Sequence, residues 1–232
     1  MKHNGSERWL PKGYPIVCER VCAGGLNVHL NRVKDPNALS DSIDEEAFGA
    51  DERFPYWAEI WPSSVALASR LSRTIIPSGA TTVELGCGTG LAGVAAAMRG
   101  ADVLFTDYEA DALAFARANH ALNTGRVGRS RLFDWREPPR GFSAQMVIAS
   151  DVLYEERFLE PFLATLRRLL LPGGTAWVAE PGRKIAVGTI ERLEAEGYQR
   201  ALYLEEVTVR GRSHGVWLHR IVRPHKKRGG AL

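Results

Sequence analysis

The stretch Thr81-Thr82-Val83-Glu84-Leu85-Gly86-Cys87-Gly88-Thr89-Gly90 decides how this 232-residue chain is read. A strand-like run stops at three glycines spaced two apart, and a helix-like run over 91–99 follows at once. Glycine accepts the backbone angles of a tight turn and lets a ligand approach the main chain closely. A helix starting there aims free N–H groups at that ligand. Glu84 sets a carboxylate just before the turn, which suits a ligand with hydroxyl or amine groups better than a pyrophosphate. The stretch therefore predicts a site for a nucleotide-like cofactor.

Downstream of it, strands and helices alternate. The pattern predicts strands at 81–85, 102–106, 130–133, 145–150 and 175–179, and helices at 91–99, 110–122, 156–171 and 185–196. Such alternation means a mostly parallel sheet with helices on both faces. Two more strands, 201–209 and 216–222, follow with no helix between them and read as an antiparallel hairpin around 210–215. The expected fold is a doubly wound α/β domain with a seven-stranded, mostly parallel, Rossmann-like sheet. Upstream, 16–22 and 26–31 form a hairpin signal around Gly24-Gly25, so a β-hairpin extension precedes the domain. Residues 35–53 are acidic and unpatterned, a loop or mobile lid, and a helix starts at Pro62-Ser63-Ser64. The units are 1–54 as extension, 55–222 as the main domain and 223–232 as a basic disordered tail.

Bulk numbers narrow the class. The chain is 45% hydrophobic, enough for one sizeable core and too little for two comfortable domains. No uncharged apolar stretch is long enough to cross a bilayer, and residues 1–6 lack the apolar core of a signal peptide. Three cysteines make no disulfide framework; Cys18 and Cys22 read as half-buried strand thiols, or alternatively as a redox couple. A cytoplasmic protein with no membrane partner is expected. The net charge of +3 is concentrated in Arg223, Lys226, Lys227 and Arg228, which leaves the rest slightly acidic. No nucleic-acid partner is expected of such a body, although the tail alone could touch an acidic partner or RNA.

In an open parallel sheet, ligands bind beyond the carboxyl ends of the strands. Those ends carry Glu84, Asp107, Asp134 and Asp151, with Ser150 beside the last. Asp107, 17 residues after Gly90, stands where a ribose-binding acid belongs. Residues Gly88 to Gly93 also match the dinucleotide pattern G-x-G-x-x-G. Glu84 and Gly86 place the turn earlier, and Leu171-Pro172-Gly173-Gly174 closes the fourth helix before the fifth strand, so the dinucleotide reading is set aside.

Together these residues resemble the class I S-adenosylmethionine-dependent methyltransferases. Glu84-x-Gly86-x-Gly88-x-Gly90 looks like their motif I, Asp107 like their ribose acid, and Asp134 like the acid near the adenine amino group. A narrower match runs through Pro55-Tyr56-Trp57-Ala58-Glu59-Ile60-Trp61-Pro62, Asp134-Trp135, Asp151-Val152-Leu153-Tyr154 and Glu180-Pro181-Gly182-Arg183. These segments resemble the family 16 protein methyltransferases, and within them the electron transfer flavoprotein β-subunit lysine methyltransferases and bacterial relatives. The resemblance implies S-adenosylmethionine as cofactor. It implies cofactor contacts at Trp57, Trp61, Glu84, Gly86, Gly88, Gly90, Asp107, Asp134, Trp135 and Ser150, and catalytic roles at Asp151 and Tyr154. It also implies a lysine amine of a protein as acceptor. A small-molecule amine, or a non-catalytic cofactor-binding module, stays open. Glu180 departs from that branch, which has Asp before Pro-Gly-Arg, and residues 1–54 find no match.

The chemistry agrees with this. Methyl transfer from a sulfonium is a direct displacement, for which the protein supplies alignment and desolvation. No nucleophile triad is needed, and the six histidines have no metal-ligand spacing, so no metal is expected. Plainer readings stand beside these. Trp57 and Trp61 could be packing for the next helix, Trp135 could be buried without ligand contact, and Tyr154 could staple a helix start. Arg183 could pair with an acidic neighbour, Trp177 and Trp217 read as core, and Cys87 as a spacer.

Overall fold

The computed structural model describes residues 6–40, 54–137 and 141–225. Most of the acidic stretch and nearly all of the basic tail lie outside these residues. The main sheet has seven strands in the order β5-β4-β3-β6-β7-β9-β8. These are β3 (Thr81–Leu85), β4 (Asp102–Asp107), β5 (Arg129–Leu132), β6 (Ala144–Ser150), β7 (Leu170–Glu180), β8 (Gln199–Val209) and β9 (Arg212–Val222). Strands β3 to β7 are parallel, whereas β9 runs antiparallel to both its neighbours. Chain order reverses direction across the sheet beside β3, and this switch point is where ligands bind in such sheets.

Period-two alternation sorts the apolar residues onto two faces. Val83, Leu85, Val147, Ala149 and Val178 point to one core with α4 (Glu156–Leu169) and α5 (Lys184–Ala195). Val103, Phe105, Ile148 and Trp177 point to the other core with α1 (Pro62–Arg73) and α2 (Leu91–Met98). Helix α3 (Ala110–Thr124) also covers that side.

A separate two-stranded sheet, β1 (Ile16–Ala23) and β2 (Leu26–Val33), forms the expected hairpin, and both Gly24 and Gly25 have positive φ. Its tip presses on α1, where Ser72 Oγ donates to the Gly24 carbonyl at 2.8 Å. Small serines on that helix face let the tip come this close.

The structure corrects four expectations. Leu171-Pro172-Gly173-Gly174 is no turn before β7 but an irregular start of the strand itself, since α4 ends at Leu169 and β7 begins at Leu170. Gly173 N–H still bonds the Arg223 carbonyl across the strand pair at 2.9 Å. The β8–β9 connection is a two-residue turn, Arg210-Gly211, and residues 212–215 belong to β9. Cys18 and Cys22 are exposed, not half-buried. Four residues apart on one strand, they stand about 13 Å from each other, too far for a disulfide. Trp217 is 36% exposed and so is not core, whereas Trp177 is buried as expected.

Candidate active site

The glycine turn leaves β3 with Gly86, Gly88 and Gly90 all at left-handed φ, between +50° and +83°. At Gly86 a Cβ would stand 2.8 Å from the Val152 side chain and 3.3 Å from the Trp135 ring, so only glycine fits. Gly90 caps α2 and packs on Ala116, away from the pocket wall.

Asp107 ends β4 beneath this turn. Its carboxylate accepts from Gly88 N–H at 2.9 Å and from Glu109 N–H at 3.0 Å. Burial outweighs these bonds and pushes its pKa up to about 6. Glu84 lies behind the turn rather than on the pocket wall. It is 2% exposed, and its carboxylate accepts from Gly93 N–H at 3.1 Å. Burial holds its pKa well above the ordinary value. It therefore staples the turn to the first turn of α2, and it is not among the side chains that line the pocket.

A pocket opens beyond these strand ends. Trp57, Trp61, Gly86, Gly88, Asp107, Trp135, Ser150, Asp151 and Tyr154 all line it. Asp134 borders an adjoining recess with Trp135, Gly86 and Asp107. Its carboxylate is held by the Arg136 backbone N–H at 2.8 Å and the guanidinium Nε at 2.7 Å. Trp57 also packs on Phe115 and Tyr14, and Trp135 on Phe158 and Phe162, so both combine packing with a place on the wall. Cys87 faces the pocket as a buried thiol. Desolvation first, then the nearby Asp107 and Glu84, push its pKa well up, which makes it an inert spacer.

Asp151 follows β6 with φ +58°, an uncommon conformation outside glycine. Its Oδ2 accepts from Ser63 Oγ at 2.8 Å, and Oδ1 pairs with the Arg183 guanidinium. Arg183 is itself placed by Glu180, whose Oε2 accepts from the N–H groups of Gly182 at 2.5 Å and Arg183 at 2.8 Å. Glu180 is fully buried, with its other oxygen 3.3 Å from Nε2 of the equally buried His219. Tyr154 stands edge-on to Tyr56, ring centroids 5.5 Å apart, and Tyr56 meets Trp61 at 6.1 Å. Burial, then the Tyr108 hydroxyl, raises the Tyr154 pKa strongly, so it stays a neutral phenol. The sequence marks no site role for Tyr56, Tyr108 or Ser63. Tyr108 adjoins the strand-end Asp107, a usable signal; Ser63 meets a partner 88 residues away, and no local pattern reports that.

Among the described residues no cluster of three metal-ligating side chains occurs. The residues present fit S-adenosylmethionine: a backbone cradle that a Cβ would fill, a buried acid for ribose hydroxyls, and aromatic walls. Fold and site define the class I methyltransferases. A neighbour of known structure, magnesium protoporphyrin IX methyltransferase from Synechocystis PCC 6803 with bound SAM, superposes with TM-score 0.55. It is 17% identical and covers 82% of this chain and 98% of that one, a likeness of fold alone.

The profile described as "Lysine methyltransferase" matches residues 53–186, and the chain belongs to that family. S-adenosylmethionine is the methyl donor that goes with it. EEF1A lysine methyltransferase 3 of Mus musculus is 32% identical over 131 residues, 54% of this chain and 56% of the mouse protein. Protein N-lysine methyltransferase METTL21A of Danio rerio is 33% identical over 123 residues, 48% of this chain and 55% of that protein. The chain spans about half the length of these curated relatives. The family rests on the match over residues 53–186, and neither of these two relatives is named for the electron transfer flavoprotein branch.

Proposed function

We propose that this protein transfers a methyl group from S-adenosylmethionine to the ε-amine of a lysine in a protein substrate. The observation that carries this is the Asp151–Tyr154 segment, which puts a carboxylate and a phenol on the wall of the pocket that the glycine turn also lines. When bound, the cofactor supplies an electrophilic methyl group on a sulfonium. The amine needs its lone pair, yet a free lysine has a pKa of about 10.4 and is mostly charged at neutral pH. Tyr154 holds its own proton, so it orients the amine as a hydrogen-bonding partner and is not the base. Asp151 is already shared between Ser63 and Arg183. Its remaining lone pairs orient the amine, while the nearby guanidinium disfavours the ammonium form and favours proton loss to water. Tyr56 and Trp61 narrow the entrance and exclude water from the alkyl stem.

A protein acceptor is favoured over a free amine because the pocket shares a wall, Tyr56, Glu59 and Trp61, with a neighbouring open surface groove. The relatives named above as protein-lysine methyltransferases support the same reading. We place the reaction in the cytoplasm, supported by three free cysteines. No helix of the described residues is long and apolar enough to cross a membrane. Incubation with methyl-labelled cofactor and a cell lysate tests the proposal. Label on protein lysine supports it, and label confined to small molecules overturns it.

A further inference from the structure

Beside the cofactor pocket lies a groove of about 620 Å³ that the transfer step itself does not use. One wall is the 55–62 segment, whose Tyr56, Glu59 and Trp61 face both cavities. The groove therefore borders the pocket that Asp151 lines. The opposite wall is the tip of the β8–β9 hairpin, with Arg210, Arg212 and His214. Glu59 is the one acid among the described lining residues, and it is engaged by Arg210 at 2.9 Å. Arg212 and His214 have no acidic partner among the described residues. Among the described residues the groove thus presents basic groups without an acidic partner.

The tip geometry adds an independent observation. Arg210 and Gly211 have φ of +49° and +75°, the mirror-type turn normally built from Asn, Asp or Gly. An arginine at the first of these positions accepts backbone strain and sets a guanidinium at the groove mouth.

We propose that this groove docks an acidic, extended segment of the methyl-acceptor protein flanking the target lysine. Arg212 and His214 meet its carboxylates, and Arg210 bridges the two walls. The proposal rests on the protein-lysine reading above. Charge complementarity favours this occupant, as does the wall that the groove shares with the reacting pocket.

Fluorescence anisotropy tests it, using labelled lysine-centred peptides flanked by Asp/Glu, by Asn/Gln or by Arg, with S-adenosylhomocysteine present. Acidic flanks are expected to tighten binding about fivefold over neutral ones at low salt, the scale of one or two exposed ion pairs. Arg212→Glu is expected to remove that preference and leave S-adenosylhomocysteine affinity, read by calorimetry, unchanged. Equal binding of all three peptides, or an acidic preference that survives Arg212→Glu, overturns the proposal. So does acidic-peptide binding that emerges only after Asp44→Asn, Glu45→Gln and Glu46→Gln, because the chain's own acidic stretch would then be the occupant. Methyl transfer to lysate proteins is read in parallel. Transfer without the peptide preference overturns the groove alone; preference without any protein methylation overturns both readings.

Discussion

Asp107 makes both stability and cofactor binding depend on pH. Its pKa of about 6 lies above the ordinary carboxylate value because burial disfavours the charged form. In the free protein the protonated acid is the comfortable state, so its contribution to stability is full below about pH 4 and is lost as pH rises through 6. Ribose hydroxyls need the ionised form as acceptor, so cofactor binding runs the other way. Calorimetric titration with S-adenosylhomocysteine should show affinity falling about tenfold between pH 7 and pH 5, where each unit below the pKa costs one decade. Affinity flat across that range would remove Asp107 from the ribose. Asp151 gives a second prediction. Asparagine tolerates left-handed φ, so Asp151→Asn should fold. It should lose about a hundredfold in kcat while keeping S-adenosylhomocysteine affinity, as expected when one orienting group is removed. Both acids were legible from their places at strand ends. The direction of Glu84 was not: sequence put it next to the turn, but strand alternation sends it under the turn, against Gly93. The Ser63 and Arg183 partners of Asp151 come from 88 and 32 residues away, and only the folded chain joins them.

At the scale of elements, the overlapping glycine patterns have one physical explanation. Gly86, Gly88 and Gly90 make the turn, and Gly93 lets α2 lie against β4. A Cβ at Gly93 would collide with the Glu84 carboxylate and stand 2.5 Å from the Phe105 ring. Gly93→Ala should therefore destabilise the fold by about 1–3 kcal/mol, the usual cost of overpacking, as read by urea denaturation. The strand–helix alternation was legible because period-two and helical patterns differ sharply. Element ends were less so. Helix α4 passes into β7 with no intervening loop, and the glycines at 173–174, which look like a turn, shape an irregular strand instead. The exposure of Trp217 on β9 is hidden from the sequence for a related reason: the outer pair of strands shows one face to solvent, and local sequence does not say which.

In the whole molecule the N-terminal hairpin is built into the site. Asn119 on α3 donates to the Thr89 carbonyl at 2.9 Å and the Asn31 carbonyl at 3.0 Å, and accepts from Asn31 N–H at 2.7 Å. One buried amide thus ties the hairpin to the glycine turn, a link between residues about 90 apart that no motif announces. Asn119→Ala should cost about 1–3 kcal/mol from the stranded backbone groups, and should weaken S-adenosylhomocysteine binding as the turn loosens. Unchanged affinity in that variant would make the hairpin a bystander. The proposed reaction is methyl transfer to a protein lysine. Its most direct test is incubation of the protein with methyl-labelled S-adenosylmethionine and cell lysate, followed by identification of the labelled residue by mass spectrometry. Methyl groups on a lysine side chain of a protein, absent with Asp107→Ala, are the predicted result. Label found only on small molecules, or no label from a protein that binds S-adenosylhomocysteine, would contradict the account.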